Sequence, residues 1–322
     1  MEIKDFKDGM NLTGVNALIA DKKIATTKTG KQYADVTLRD RSGNIKCKIW
    51  NYSPILDATV KAGNAIKCSL VVSTYNGDLQ GVLEDVVPSD LNPMFFSKST
   101  RFDVNEMWKD LLVYIDMIKN PLITYIIKKK FLPHKDAFCC APAAKGVHNA
   151  WFGGLIEHTW GMLELAKEVV CHYQKNYQVH IDWDKVVFGI LMHDLGKIFE
   201  YDYSTPAFNL TGEGLLVNHI VSGAADIYEA SNSWRSENQS AHMPDFLMQR
   251  AELMHLVVAH HGQVDWGSPS VPATLEAIII HQVDMVDSKF MHALELVEGK
   301  EGPIEGFSEP SWTQKTSFLQ KY

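Results

Sequence analysis

Histidine placement divides this 322-residue chain: all 13 histidines lie between His134 and His292, and the first 133 residues contain none. Charge splits with them. Residues 1–92 hold 12 lysines and arginines against 11 acidic residues, while the remainder carries a net charge of −9. A shift of this kind marks a boundary between two units, the number expected from the length. Pro88, Asn92-Pro93 and Ser97-Lys98-Ser99-Thr100 break any regular pattern at that boundary.

With 46% hydrophobic and 22% charged residues the chain has the profile of a globular protein that buries a large core. That excludes a disordered, collagen-like or disulfide-stapled chain. A net charge of −8 and a pI near 5.9 argue against coating duplex DNA by bulk attraction. Met1-Glu2-Ile3-Lys4-Asp5 places charges where a signal peptide needs an apolar stretch, and no apolar run reaches the length of a membrane span. Five cysteines, an odd number without paired spacing, fit a reducing compartment. A cytoplasmic protein without membrane contact is expected.

Residues 11–92 read as short strands separated by turn signals. Val15 to Ala20 leads into Ile24-Ala25-Thr26-Thr27. Tyr33 to Leu38 alternates, Arg41-Ser42-Gly43-Asn44 turns, and Ile45 to Trp50 alternates again. A short helix is expected around Ser53 to Val60. Ala65 to Tyr75 and Leu79 to Val87 then pair across Asn76-Gly77-Asp78. Five strands with a helix after the third is the order of an OB-fold barrel. The stretch from Gly30 to Trp50 resembles the OB-folds of nucleic-acid-binding proteins, which stack bases on aromatics and steer the backbone with lysines. The candidates are Tyr33, Trp50 and Tyr75 with Lys28, Lys31, Lys46 and Lys48, although edge lysines also serve to prevent strand aggregation.

From Val104 onward the apolar period changes to 3.6. Met107, Leu111, Tyr114, Ile115 and Ile118 form one stripe and Leu122 to Leu132 another. Leu155 to Tyr173, Trp183 to Leu195, Gly214 to Ala230, Phe246 to His261 and Pro272 to Leu296 follow, giving an all-α bundle. Several polar residues lie on the apolar faces. His158 shares a face with Met162, Leu165 and Val169; His193 continues Val186 and Ile190; Asp194 continues Val187 and Leu191. Gly196 is placed to end that helix. Inward-facing Asp194 and Asp284 need a cation, and histidines on facing helices make that cation a metal bound by imidazole and carboxylate.

His158, His193-Asp194 and Asp284 resemble the H…HD…D signature of the HD superfamily of metal-dependent phosphohydrolases. His219 and His260-His261 resemble its multinuclear branches. More narrowly, the chain resembles the YhaM-type 3′→5′ exoribonucleases over nearly its whole length. The matching runs are Pro142-Ala143-Ala144-Lys145, Gly153 to Thr159, His193-Asp194-Leu195-Gly196-Lys197 and Gly212-Glu213-Gly214-Leu215-Leu216 with His219-Ile220. His260-His261-Gly262, Gly267-Ser268-Pro269, Asp284 and Asp287-Ser288-Lys289 complete them. One departure is His148-Asn149, where the family is expected to show two histidines; it puts a role for that position in a leaving group in doubt.

The resemblance implies an OB-fold domain over 1–92, a linker and leading helices over 93–145, an HD domain over 146–298 and a tail over 299–322. It also implies two divalent ions, with Mn²⁺, Fe²⁺, Co²⁺ and Mg²⁺ as candidates. His158, His193, Asp194 and Asp284 would hold the first, and His219, His260 and His261, sharing Asp194, the second. Lys197 and His148 are candidate catalytic groups beside Asp194. Lys145, Gly267 and Ser268 are candidate substrate contacts.

The expected activity is 3′→5′ hydrolysis of single-stranded RNA or DNA to nucleoside 5′-monophosphates. An HD hydrolase of small nucleotides (a nucleotidase or cyclic-dinucleotide phosphodiesterase) and a non-catalytic nucleic-acid-binding protein are the alternatives. The aromatics of the tail, irregularly spaced, leave a homo-oligomer interface open.

Overall fold

The computed structural model describes residues 1–50, 52–91, 93–96, 98–144, 151–202, 208–239, 242–299 and 301–320. It divides into two compact units, Met1–Ser99 with Tyr203–Asn209, and Thr100–Asp202 with Leu210–Tyr322.

The first unit is a closed five-stranded barrel: β1 (Asn11–Thr26), β2 (Gln32–Asp40), β3 (Gly43–Ile49), β4 (Ala65–Tyr75) and β5 (Asp78–Pro88). The strands close in the order β1-β2-β3-β5-β4, with β3 and β5 parallel and the other neighbours antiparallel, as in an OB-fold. Alternation does the work. Ala34, Val36 and Leu38 of β2, Ile45, Cys47 and Ile49 of β3, and Ile66, Cys68, Leu70 and Val72 of β4 all point into one core. Asn76 and Gly77 both have positive φ, 53° and 89°, the conformation a two-residue hairpin loop requires between Tyr75 and Asp78. The two runs from Val15 to Thr27 form one strand, with a register shift between Ile19 and Asp21. The helix expected around Ser53 to Val60 is only the 3₁₀ turn Pro54–Leu56, which buries no residue.

The second unit is helical. It runs through α1 (Val104–Asp116), α2 (Pro121–Ile126), α3 (Lys135–Cys140), α4 (Gly154–Tyr177) and α5 (Trp183–Met192). Then come α6 (Lys197–Glu200), α7 (Gly212–Leu216), α8 (His219–Glu237), α9 (Met243–Val258) and α10 (Leu275–Val297). Every residue of α5 from Val186 to Met192 is buried, which makes it the central helix, packed by α4, α9 and α10. No helix among the described residues is long and apolar enough to cross a membrane.

Two helix boundaries depart from the periodicity in a way that matters for the site. α5 ends at Met192, so His193 and Asp194 sit in the turn beyond it. The expected helix from Gly214 to Ala230 is broken: Asn218 is extended and its side chain accepts the backbone N–H of Val221, starting α8 at His219. Asn218→Ala is expected to lower unfolding free energy by about 1 kcal/mol, measurable by urea denaturation.

Candidate metal centre

Five imidazoles converge from four segments of the chain. His158 comes from the first half of α4, His193 from the turn after α5, His219 from the first position of α8, and His260 and His261 from the turn after α9. His158, His193 and Asp194 bring three ligand atoms within 4.8 Å of one another, and so do His219, His260 and His261. His158, His193, Asp194, His219 and His260 are all buried, whereas His261 is partly exposed.

The ring orientation is fixed from behind. Nδ1 of His193 lies 2.8 Å from the carbonyl of Ile190, Nδ1 of His260 2.7 Å from that of Val257, and Nδ1 of His261 2.9 Å from that of Trp266. A carbonyl only accepts, so each Nδ1 carries the proton and each Nε2 presents a lone pair inward. His158 and His219 are held by carboxylates instead: Nδ1 of His158 by Asp287 at 2.6 Å, and Nδ1 of His219 by Glu200 at 2.6 Å. These are the outer partners that metal-binding histidines require.

Asp194 stands between the two groups. Its Oδ2 lies 3.2 Å from Nε2 of His193 and 4.0 Å from Nε2 of His158; its Oδ1 lies 3.4 Å from Nε2 of His219 and 3.7 Å from Nε2 of His260. Asp284 approaches the same nitrogen of His158, with Oδ1 3.3 Å from Nε2. Nε2 of His193, His219 and His260 and Oδ1 of Asp194 are buried without a hydrogen-bond partner. Each such atom costs about 1–3 kcal/mol, a cost that a cation among these His and Asp groups would offset.

Electrostatics agrees. Burial alone would push the Asp194 carboxyl up, but the Lys197 ammonium and His193 outweigh it and hold it well below the usual range. Burial also acts first on His260, and with His193 beside it keeps the ring neutral and available as a ligand. His158, which burial would depress, is pushed up to about 10 by Asp284 and Asp287. The negative charge converging on that ring is the charge a bound cation balances.

The remaining candidates separate. Lys197 is partly buried, its side chain 12% exposed, with its ammonium 2.6 Å from both Oδ2 of Asp194 and the carbonyl of Ala143. Gly267 follows the 3₁₀ turn Val264–Trp266 in the left-handed region and is exposed. Ser268 is turned inward: its hydroxyl lies 2.9 Å from the carbonyl of Val258 and 2.8 Å from that of Ser270, so it pins the loop and offers no free contact. Lys145, His148 and Asn149 lie outside the described residues.

In the barrel, the β2–β3 register sets Tyr33 beside Trp50, with ring centroids 5.4 Å apart and Trp50 46% exposed. The ammonium of Lys48 lies 4.9 Å from the Tyr33 ring and 5.4 Å from that of Trp50. Lys31 and Tyr75 are exposed.

The sequence profile of the HD domain matches residues 155–289, a span containing every histidine and aspartate of the centre. The 3′-5′ exoribonuclease YhaM of Halalkalibacterium halodurans is 31% identical over 288 residues, 87% of this chain and 85% of the relative. The chain belongs to the YhaM exoribonuclease family. The YhaM protein of Bacillus velezensis is 30% identical over 288 residues, covering 87% of each chain. Among solved structures, the second OB-fold domain of replication protein A from Methanococcus maripaludis aligns with 28% of this chain and 95% of its own, at 22% identity and a TM-score of 0.24.

Glu200 and His281 lie outside the runs that carry the family resemblance; Asp287 falls within one, but the resemblance assigns it no role. Sequence periodicity gives no sign of Glu200 and Asp287 as outer partners, because what lies behind an imidazole depends on chain packing. His281 is buried on α10 with Nδ1 2.8 Å from the carbonyl of His260, supporting the histidine turn from beneath.

Proposed function

We propose that this chain is a cytoplasmic, metal-dependent 3′→5′ exonuclease that hydrolyses the phosphodiester bonds of single-stranded RNA, and of single-stranded DNA, to nucleoside 5′-monophosphates. The observation that carries the reading is the Asp194 carboxylate, whose two oxygens face two separate groups of imidazoles. His158, His193, Asp194 and Asp284 would hold one ion; His219, His260 and His261, with the other oxygen of Asp194, would hold the second. Imidazole and carboxylate donors without thiolate suit Mn²⁺, Fe²⁺ and Co²⁺, with Mg²⁺ as a further candidate. When bound, such a pair lowers the pKa of a coordinated water and draws charge from the scissile phosphate.

The chain's own groups do the rest. Asp194 sets the spacing of the two donor groups. Lys197 keeps its proton, since Asp194 outweighs the burial that would lower its pKa, and supplies positive charge beside the phosphoryl oxygens. His148 is a proposed phosphate contact or proton donor, and Lys145 and Gly267 are proposed substrate contacts.

Tyr33 and Trp50, with Lys48 between them, form a stacking surface for successive bases. Removing one such ring costs about 1–3 kcal/mol of single-strand affinity. Tyr33→Ala/Trp50→Ala is therefore expected to weaken binding of a long RNA at least about tenfold by fluorescence anisotropy, while leaving turnover of a dinucleotide unchanged.

The activity is tested with a 5′-labelled single-stranded RNA and Mn²⁺, beside an EDTA control and the His193→Ala/Asp194→Ala variant. The reading requires a ladder shortening from the 3′ end and lost in both controls. An RNA left intact would overturn it.

A further inference from the structure

We propose that Glu200, clamped by the turn from Thr211 to Gly214, is the positioning residue for the second ion and acts through His219; the inference rests on the two-ion reading above. His219 differs from its neighbours in how it is held. A single carboxylate oxygen, Oε2 of Glu200, accepts both the Nδ1–H of its ring at 2.6 Å and its backbone N–H at 2.8 Å. One group thus sets where α8 begins and how the imidazole is rotated. A carboxylate behind Nδ1 also makes Nε2 a stronger donor than a carbonyl would.

Glu200 is itself fixed. Its carbonyl accepts the backbone N–H of Thr211 at 3.0 Å. The Thr211 hydroxyl donates to the carbonyl of Phe199 at 2.8 Å and accepts the N–H of Gly214 at 2.9 Å. Gly214 lies so close that a Cβ there would stand 2.3 Å from the carbonyl oxygen of Glu200 and 2.9 Å from its Cα. Core packing does not account for this turn, since α7 has no buried residue and Leu215 and Leu216 are 71% and 88% exposed. Pressing Glu200 against His219 does account for it, and gives the Gly212-Glu213-Gly214 run a purpose.

The first group of ligands has its own carboxylate, Asp287 behind His158. Loss of Glu200 therefore has a selective consequence. The test is Mn²⁺ binding by isothermal titration calorimetry, with metal content after gel filtration, on the wild-type chain, Glu200→Ala, Glu200→Gln, Gly214→Ala and Asp287→Ala. The wild type is expected to bind two ions. Glu200→Ala and Gly214→Ala are expected to keep one ion at wild-type affinity and to bind the other 10–100-fold more weakly. Glu200→Gln, which retains an oxygen for the Nδ1–H, falls between. Asp287→Ala weakens the opposite ion.

Wild-type affinity for both ions in Glu200→Ala, or equal weakening of both, overturns the proposal. Should Glu200→Ala fail to fold by circular dichroism, Glu200→Gln and Gly214→Ala decide it on the same terms. A wild-type chain that binds a single ion contradicts the two-ion reading instead. No RNA enters the experiment, so the nuclease activity is tested apart from it.

Discussion

Asp194→Asn is expected to lower the rate of RNA hydrolysis at least about 10³-fold, a loss of roughly 4 kcal/mol of transition-state stabilisation, and to leave the chain unable to hold both ions. The side chain hardly changes in shape, so the effect isolates charge and donor type. In the native residue one oxygen faces His158 and His193 and the other faces His219 and His260. An amide offers one weak oxygen donor, and its NH₂ points a proton at whichever ion lies on the other side. The substitution also leaves the partly buried Lys197 ammonium facing a neutral group. Single-turnover cleavage of labelled RNA, with metal content measured on the same sample, reads both consequences. A variant with more than a tenth of native activity would show that Asp194 does not join the two halves of the centre.

Gly196→Ala is expected to reduce activity about 10²-fold, the scale of a misplacement near 1 Å, and to destabilise the fold by about 1–3 kcal/mol through overpacking. Gly196 has φ −59°, a backbone any residue adopts. An alanine therefore introduces no backbone strain. The obstacle is space. A Cβ at 196 would stand 2.4 Å from the carbonyl oxygen of His219, 2.7 Å from its Cα and 2.5 Å from Oγ of Ser222. The turn after α5 and the start of α8 must separate to admit it, carrying His219 away from Asp194. Urea denaturation and cleavage assays with saturating Mn²⁺ check the two effects. Unchanged activity would mean that the site tolerates movement of α8.

This glycine shows where sequence reasoning stopped. Placed after a run of apolar residues, Gly196 reads as a helix terminator, yet α5 has already ended at Met192 and the glycine serves a backbone contact between segments 23 residues apart. The barrel was more legible because its signals are local: alternation in β2 and β3 sets the buried face, and Asn76-Gly77 sets the hairpin. The order of the histidines and aspartates was legible too, as polar residues recurring on apolar faces. What stands behind each ring was not. Glu200 reaches His219 across 19 residues and Asp287 reaches His158 across 129. The break between α7 and α8 escaped the periodicity because Val217 and Asn218 leave the 3.6-residue pattern intact. Ser268 reads as a loop hydroxyl open to substrate, and only the carbonyls of Val258 and Ser270 reveal that it faces inward.

The claim on which everything else rests is that Asp194 bridges two cations. Crystals grown with MnCl₂ and measured on both sides of the manganese absorption edge would test it directly. The account predicts two anomalous peaks flanking the Asp194 carboxylate, one ligated by His158, His193 and Asp284 and the other by His219, His260 and His261. A single peak in fully loaded crystals, or two peaks that leave Asp194 unligated, would contradict it.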